Sequence, residues 1–274
     1  MRINVAIVSV LWSIALLSIV SVSLLWSGNV SYRLAHNTLE AVTTDAIAEA
    51  AVNRAVLGLL DSRPLWRTDG SFRQIELDGV AVTVSVQDEL GRIDLNVAEA
   101  GLLSGLLRSS GLDAQAASAL TDKILDWREA DTGRRLNGAN EADYRAAGLS
   151  YRPRNGPFQS VEEVQLVMDM TPDLFRRIAP ALTVYSGRPN FDPQLAPREA
   201  LLALPNMDSG KVTALLASRS NQQSIIERSL SLRGRAFAIQ AEFTTGNVRH
   251  LHQSTIRLTD GPDRPYWILA WKTK

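Results

Sequence analysis

The chain has 274 residues and no cysteine, and Lys plus Arg balance Asp plus Glu at 29 each. Balanced charge excludes a whole-chain electrostatic footprint for nucleic acid. The missing thiols exclude disulfides, thiolate metal sites and cysteine nucleophiles, and 45% hydrophobic residues exclude a disordered chain.

No charged side chain occurs between Arg2 and Arg33, and residues 5–26 are Val, Ile, Leu, Ala and Trp with scattered Ser. A bilayer needs about 20 apolar helical residues, so this run predicts a single membrane span. Arg2 before it favours a cytoplasmic N-terminus, with the rest of the chain exported. A cleaved signal has a shorter apolar core of about 7–15 residues and an Ala-x-Ala site, which this run lacks.

The helix is predicted to continue past the membrane. Leu39, Val42, Ala46, Ala50, Val52, Val56, Leu59 and Leu60 recur at helical spacing, with Glu40, Asp45, Glu49 and Arg54 between them. The helix should stop ahead of Pro64. One helix over 5–60 would be roughly 80 Å long at 1.5 Å per residue.

Alternating runs at 72–77 and 80–88 flank Asp78-Gly79 and predict a hairpin. Residues 92–96 continue extended. Helices are predicted at 101–108, 113–129, 141–147, 160–168 and 172–178. Ser160 begins a capping-box pattern with Glu163. Thr171-Pro172 reads as an N-cap followed by proline at the first helical position. Val184-Tyr185 is expected to return to the sheet, and 189–197 to be a loop. Short helices at 198–204 and 209–218 should hinge at Pro205-Asn206. A second hairpin, 235–244 with 248–259, turns at Gly246-Asn247, and 265–272 forms the last strand.

The expected fold class is α+β: a long N-terminal helix, a small antiparallel sheet and a large all-α insertion between its strands. The domain boundaries are set at 1–30 for the transmembrane half of the helix and 31–98 for its second half with the first strands. The helical insertion takes 99–182 and the remaining α+β domain 183–274.

Several short strings in fixed order resemble the general secretion pathway protein K family, minor pseudopilins of type II secretion. They are Val10-Leu11-Trp12, Ala15-Leu16-Leu17, Gly91-Arg92-Ile93-Asp94-Leu95-Asn96, Asp126-Trp127-Arg128-Glu129-Ala130-Asp131 and Gly138-Ala139-Asn140-Glu141. Phe158-Gln159-Ser160-Val161-Glu162-Glu163-Val164, Thr183-Val184-Tyr185-Ser186, Ala196-Pro197 and Leu202-Ala203-Leu204-Pro205 complete the set.

The resemblance implies a pilin-like sheet with a helical insertion at the tip of a periplasmic pseudopilus. It also implies an inner-membrane anchor and partners among other minor pseudopilins and inner-membrane secretion components, with no nucleic acid. Most pseudopilins carry a glutamate early in the apolar run, whereas this chain has no acid before Glu40, as this family's members also lack it. One departure concerns processing. Pseudopilins are cut after a glycine preceding the run, yet Met1-Arg2-Ile3-Asn4 stands there and the first glycine is Gly28. The cut then falls after another residue such as Asn4, or the start lies upstream, or the chain is not processed.

Asp126, Glu129, Asp131, Glu141 and Asp143 gather within one stretch, and carboxylates are the ligands calcium prefers. The resemblance implies a structural calcium there. Arg128, Arg134, Arg135 and Arg145 offer the alternative of salt-bridged acids.

The segments 201–211 and 164–178 resemble helix-hairpin-helix units, which bind DNA phosphates through backbone N–H groups and a nearby base. They support a rival reading, an anchored DNA-binding protein of DNA uptake. His250 and His252 share one strand face and could form a weak metal pair, and His36 stands alone. No Gly-x-Ser-x-Gly, phosphate loop or His-Glu-x-x-His occurs, so an enzyme is not expected.

Overall fold

The computed structural model describes residues 2–61, 66–131, 133–226, 232–261 and 263–273. The side chains of 2–8, 24–37 and 220–226 lie outside the description. So do His36, Pro64 and the ends of the predicted membrane run. The chain divides into two units, Met1–Ala50 and Ala51–Lys274.

The first unit is helical. Helix α1, Arg2–Leu60, has 59 residues. The side chains of residues 9–23 are all exposed, among them Val10, Leu11, Trp12, Ile14, Leu16, Leu17, Ile19, Val20 and Val22. Ser13 and Ser18 donate their hydroxyls to the carbonyls of Ser9 and Ile14 at 2.9 and 2.8 Å, so neither depends on water. Among the described residues no helix is long and apolar enough to cross a membrane.

The second unit begins with the last turns of α1. Ala51, Val52, Ala55, Val56 and Leu59 are buried at a spacing that marks one helix face. The sheet beside them is antiparallel, in the order β1-β2-β5-β6-β7. Strand β1 is Asp69–Leu77 and β2 is Val80–Asp88. The later strands are β5 Ala236–Thr245, β6 Val248–Leu258 and β7 Tyr266–Thr273. Between β2 and β5 the short strands β3, Ile93–Asp94, and β4, Leu182–Thr183, pair in parallel as a separate sheet.

Both hairpins form as predicted. Asp78 and Gly79 have φ of 52° and 78°, the type I′ requirement, and Gly246 at 58° opens the second turn. One sheet face presents Val82, Val84, Val86, Phe237, Ile239, Ala241, Phe243, Ile256 and Leu258, all buried. The Tyr266 hydroxyl donates to Asn53 Oδ1 at 2.7 Å, which identifies this face as the one turned to α1. Gly58 is needed there, because a Cβ on it would lie 1.8 Å from the Trp66 ring.

The other face meets a helical layer. It comprises α2 Ala100–Ser109, α3 Ala114–Arg128, α4 Glu141–Ala146, α5 Pro172–Ile178, α6 Arg198–Leu202 and α7 Ser209–Ile226. Leu103, Leu106, Ile124, Trp127, Ile178 and Leu201 belong to one buried cluster. Leu201 and Val212 share it with α2, so the helical layer continues past residue 182.

Three local expectations need correction. Residues 161–166 form a 3-10 helix, and Ser160 makes no side-chain cap bond. Glu163 turns inward to Trp127 instead of closing a capping box. The return strand is Leu182–Thr183, not Val184-Tyr185, and it pairs with β3 outside the main sheet. Helix α7 runs well beyond 218.

Candidate functional site

Where β2 leaves the sheet, the chain changes from strand to helical layer within a few residues. The Asp88 carboxylate accepts the Leu90 N–H at 2.8 Å and pairs with Arg235 at the entry to β5. Exit and return of the insertion are thereby tied together. Burial pushes Asp88 up to about 6, opposed by the Arg235 charge. Glu89 is fully buried and also raised by burial, with Arg92 opposing at 3.1 Å. Gly91 follows, and a Cβ there would sit 2.3 Å from the Leu195 carbonyl oxygen.

Asp94 is buried and accepts from the Asn96 N–H, the Ser186 hydroxyl and the Gly187 N–H at 2.9, 3.1 and 2.7 Å. The Asn96 side chain meets Phe158 twice. Its amide donates to the Phe158 carbonyl at 3.0 Å, and its carbonyl accepts the Phe158 N–H at 2.7 Å. Arg128 donates to the carbonyls of Leu95 and Ala98 at 2.7 and 2.8 Å. The strings Gly91–Asn96 and Asp126–Glu129 are therefore one junction that fixes the helical layer to the strand.

Glu163 completes it from below. Its carboxylate accepts from Trp127 Nε1 and the Gln159 N–H, both at 2.9 Å, and pairs with Arg154. Burial alone would raise Glu163, but these donors outweigh it and hold the group below its ordinary value.

The five predicted metal ligands do not converge as a set. Asp126 and Glu129 both reach the same Arg135 nitrogen, at 2.9 and 2.6 Å. The hydrogen bond from Arg135 lowers Glu129. Gly138 leaves room for the Asp126 carboxylate, since a Cβ would meet it at 1.7 Å. Asp131 accepts the Gly133 N–H at 2.9 Å. Asp143 closes a capping box with Asn140, whose N–H lowers its pKa, and pairs with Arg134 at 2.9 Å. Glu141 pairs with Arg145 at 2.7 Å and Arg152 at 3.4 Å. Among the described residues no three acids or histidines are grouped to hold a metal. As arranged, four of the acids are paired with arginines.

The hairpin units are closed to phosphate. In 201–211 the α7 N-terminus is occupied by Asp208, which accepts the Lys211 N–H at 2.9 Å, and Lys211 Nζ donates to the Asn206 carbonyl at 2.6 Å. An acid at the position a phosphate would take repels it. In 164–178 Asp169 stands at the turn, paired with Lys123. His250 and His252 part company: the first meets Thr245 and stacks on Phe243, the second meets Thr273 and Trp271.

Edge strand β7, the last strand of the sheet, is more exposed than its apolar sequence implies. Trp267, Ile268, Leu269 and Trp271 are 36–53% exposed. The signal was present, because Tyr-Trp-Ile-Leu-Ala-Trp lacks the polar alternation of a half-buried strand.

Residues 84–187 match the family described as type II secretion system (T2SS), protein K, a span that contains the strings Gly91–Asn96 and Asp126–Glu129. Over those residues the chain is similar to type II secretion system protein K. Type II secretion system protein K of Pseudomonas aeruginosa is 24% identical over 255 residues, 80% of this chain and 73% of the relative. Protein K of Klebsiella pneumoniae is 33% identical over 107 residues, 38% of this chain and 33% of the relative. A chain in the crystal structure of the GspK-GspI-GspJ complex from the enterotoxigenic Escherichia coli type II secretion system has the same fold. It covers 88% of this chain and 98% of its own length at 16% identity, with a TM-score of 0.62. A protein K relationship leaves the DNA-uptake reading without support.

Proposed function

We propose that this chain is a membrane-anchored minor pseudopilin of a type II secretion system, a structural subunit and not an enzyme. It joins other minor pseudopilins and inner-membrane secretion components at the tip of a short pseudopilus and helps to start its assembly, supporting export across the outer membrane. Its anchor is a single inner-membrane span, with the second unit in the periplasm. The similar structure is a complex of GspK with GspI and GspJ, which suggests partners of that kind.

The observation that carries the reading is the unlike use of α1 along its length. Residues 9–23 expose apolar side chains on every side, as a helix does only in lipid or against other chains. Residues 51–59 bury a single face. Between them Ala46 and Ala50 are exposed, and small exposed residues let a second helix approach closely. Ala48 and Ala51 are buried.

Ala50→Glu tests this. The charge is expected to abolish co-purification of partner pseudopilins from detergent-extracted membranes, with the circular dichroism of the protein unchanged. Undiminished co-purification would count against the helix interface.

A structural calcium is a second and separate proposal. It is favoured by one feature, the convergence of Asp126 and Glu129 on a single Arg135 nitrogen. A cation would take that position only after displacing Arg135.

A further inference from the structure

Within the second unit, a cavity of about 430 Å³ is lined by the sheet on one side and by residues of the helical layer on the other. That volume falls in the range of roughly 300–1,000 Å³ usual for small-molecule sites. Its floor is two rows of side chains running across the sheet. The register sets Ser85, Gln240, Gln253 and Lys272 side by side, and Gln87, Ala238, Thr255 and Ala270 in the next row. A sheet face covered by helices is ordinarily apolar. Here the first row is polar throughout, and the two alanines of the second leave space above them. Gln253 Nε2 donates to Gln240 Oε1 at 3.2 Å, which leaves the Gln240 amine as a donor and the Gln253 oxygen as an acceptor. Glu89 and Arg92 stand in the wall, joined at 3.1 Å, with Glu89 Oε2 and Arg92 Nε buried and without hydrogen bonds. At the sheet edge Lys272 meets Glu162 of the helical layer at 2.5 Å, a half-exposed pair that bridges the two layers.

We propose that this cavity binds a neutral sugar of one or two rings. The lining selects that class by its chemistry. Its charges are already matched, Glu89 by Arg92, Lys272 by Glu162 and Arg176 by Asp173, so it has no ion to offer a charged ligand. An extended peptide gains its affinity by adding to a free strand edge, and β2, β5 and β6 are interior strands paired on both sides. An apolar ligand would strip water from the amides and return no hydrogen bond. A sugar hydroxyl both donates and accepts, which suits the Gln240–Gln253 pair and the unbonded atoms of Glu89 and Arg92. The apolar C–H face of a sugar ring matches the rings of Phe175 and Tyr185, which also line the cavity.

The test uses the full chain in an amine-oxide detergent, which carries no sugar headgroup, and saturation-transfer NMR. The probes are glucose, maltose, N-acetylglucosamine and its disaccharide, diacetylchitobiose. Two variants fix the location. Gln240→Leu with Gln253→Leu removes the polar row, and Ala270→Phe fills the space above the alanines. Transfer to at least one sugar is expected, with affinity lowered about tenfold in the double variant. In Ala270→Phe the transfer should be lost, with circular dichroism unchanged in both. A disaccharide bound more tightly than its own monomer marks the ligand as part of a glycan chain, and equal affinity marks it as a free sugar. No transfer from the unaltered chain to any of these sugars overturns the proposal. Transfer that persists undiminished in both folded variants overturns it as well, because the sugar then binds elsewhere.

Discussion

Asp88 shows how one residue can hold two parts of a fold. Its carboxylate caps the turn that leaves the sheet and pairs with Arg235 at the turn that re-enters it. Arg235→Ala leaves the acid buried and unpaired, and a loss of about 3–5 kcal/mol is expected in chemical denaturation. The pH dependence has a definite sign. Burial raises Asp88 from 3.8 to about 6, so the folded state takes up the proton first. This contribution is fully present below 3.8 and is lost as pH rises through about 6. Compared with wild type, Asp88→Asn should lack the stabilisation gained on acidification from pH 7 to 5. A matching profile in the variant would remove Asp88 as its source. At Gly91 a methyl group would press on the Leu195 carbonyl, and Gly91→Ala is expected to cost about 1–3 kcal/mol, read as a lowered denaturation midpoint. The string Gly91–Asn96 was visible in the sequence, but its purpose was not. Its partners Phe158, Ser186 and Leu195 lie far along the chain, and only the folded backbone brings them near.

Elements with local determinants were legible. Asp78-Gly79 and Gly246 specify their hairpins through φ, and Thr171-Pro172 starts α5, with the Thr171 hydroxyl accepting the Leu174 N–H at 3.2 Å. Elements decided by distant packing were not. Glu163 abandons the Ser160 cap because Trp127 and Arg154 bind it more completely. Strand β4 pairs with β3 because the junction places them side by side. In the acidic stretch, composition shows the carboxylates but not which arginines they meet. Arg135→Ala leaves Asp126 and Glu129 converging without their shared partner. That variant is expected to melt below wild type without calcium and to recover with millimolar calcium, while wild type moves little. Equal indifference of both proteins to calcium would end the calcium proposal.

At the scale of the whole chain, one long helix is followed in sequence by the strands of a sheet, with helices inserted between β2 and β5. That plan was legible because its parts have different periodicities: an unbroken apolar run, then helical spacing, then alternation around Gly turns. What periodicity could not show is which apolar surface stays uncovered. The exposed side chains of 9–23 and of β7 emerge only once the rest of the core is filled. If the first of these surfaces is a membrane anchor handled as pseudopilins are, the mature chain keeps it. The most direct measurement is therefore the intact mass and N-terminal sequence of the protein extracted from its native membrane. The expected result is a chain cut within the few residues before the apolar run, with that run retained and the new amine methylated. A chain that had lost the whole run, or one with an unprocessed Met1 at a confirmed start, would contradict the pseudopilin account.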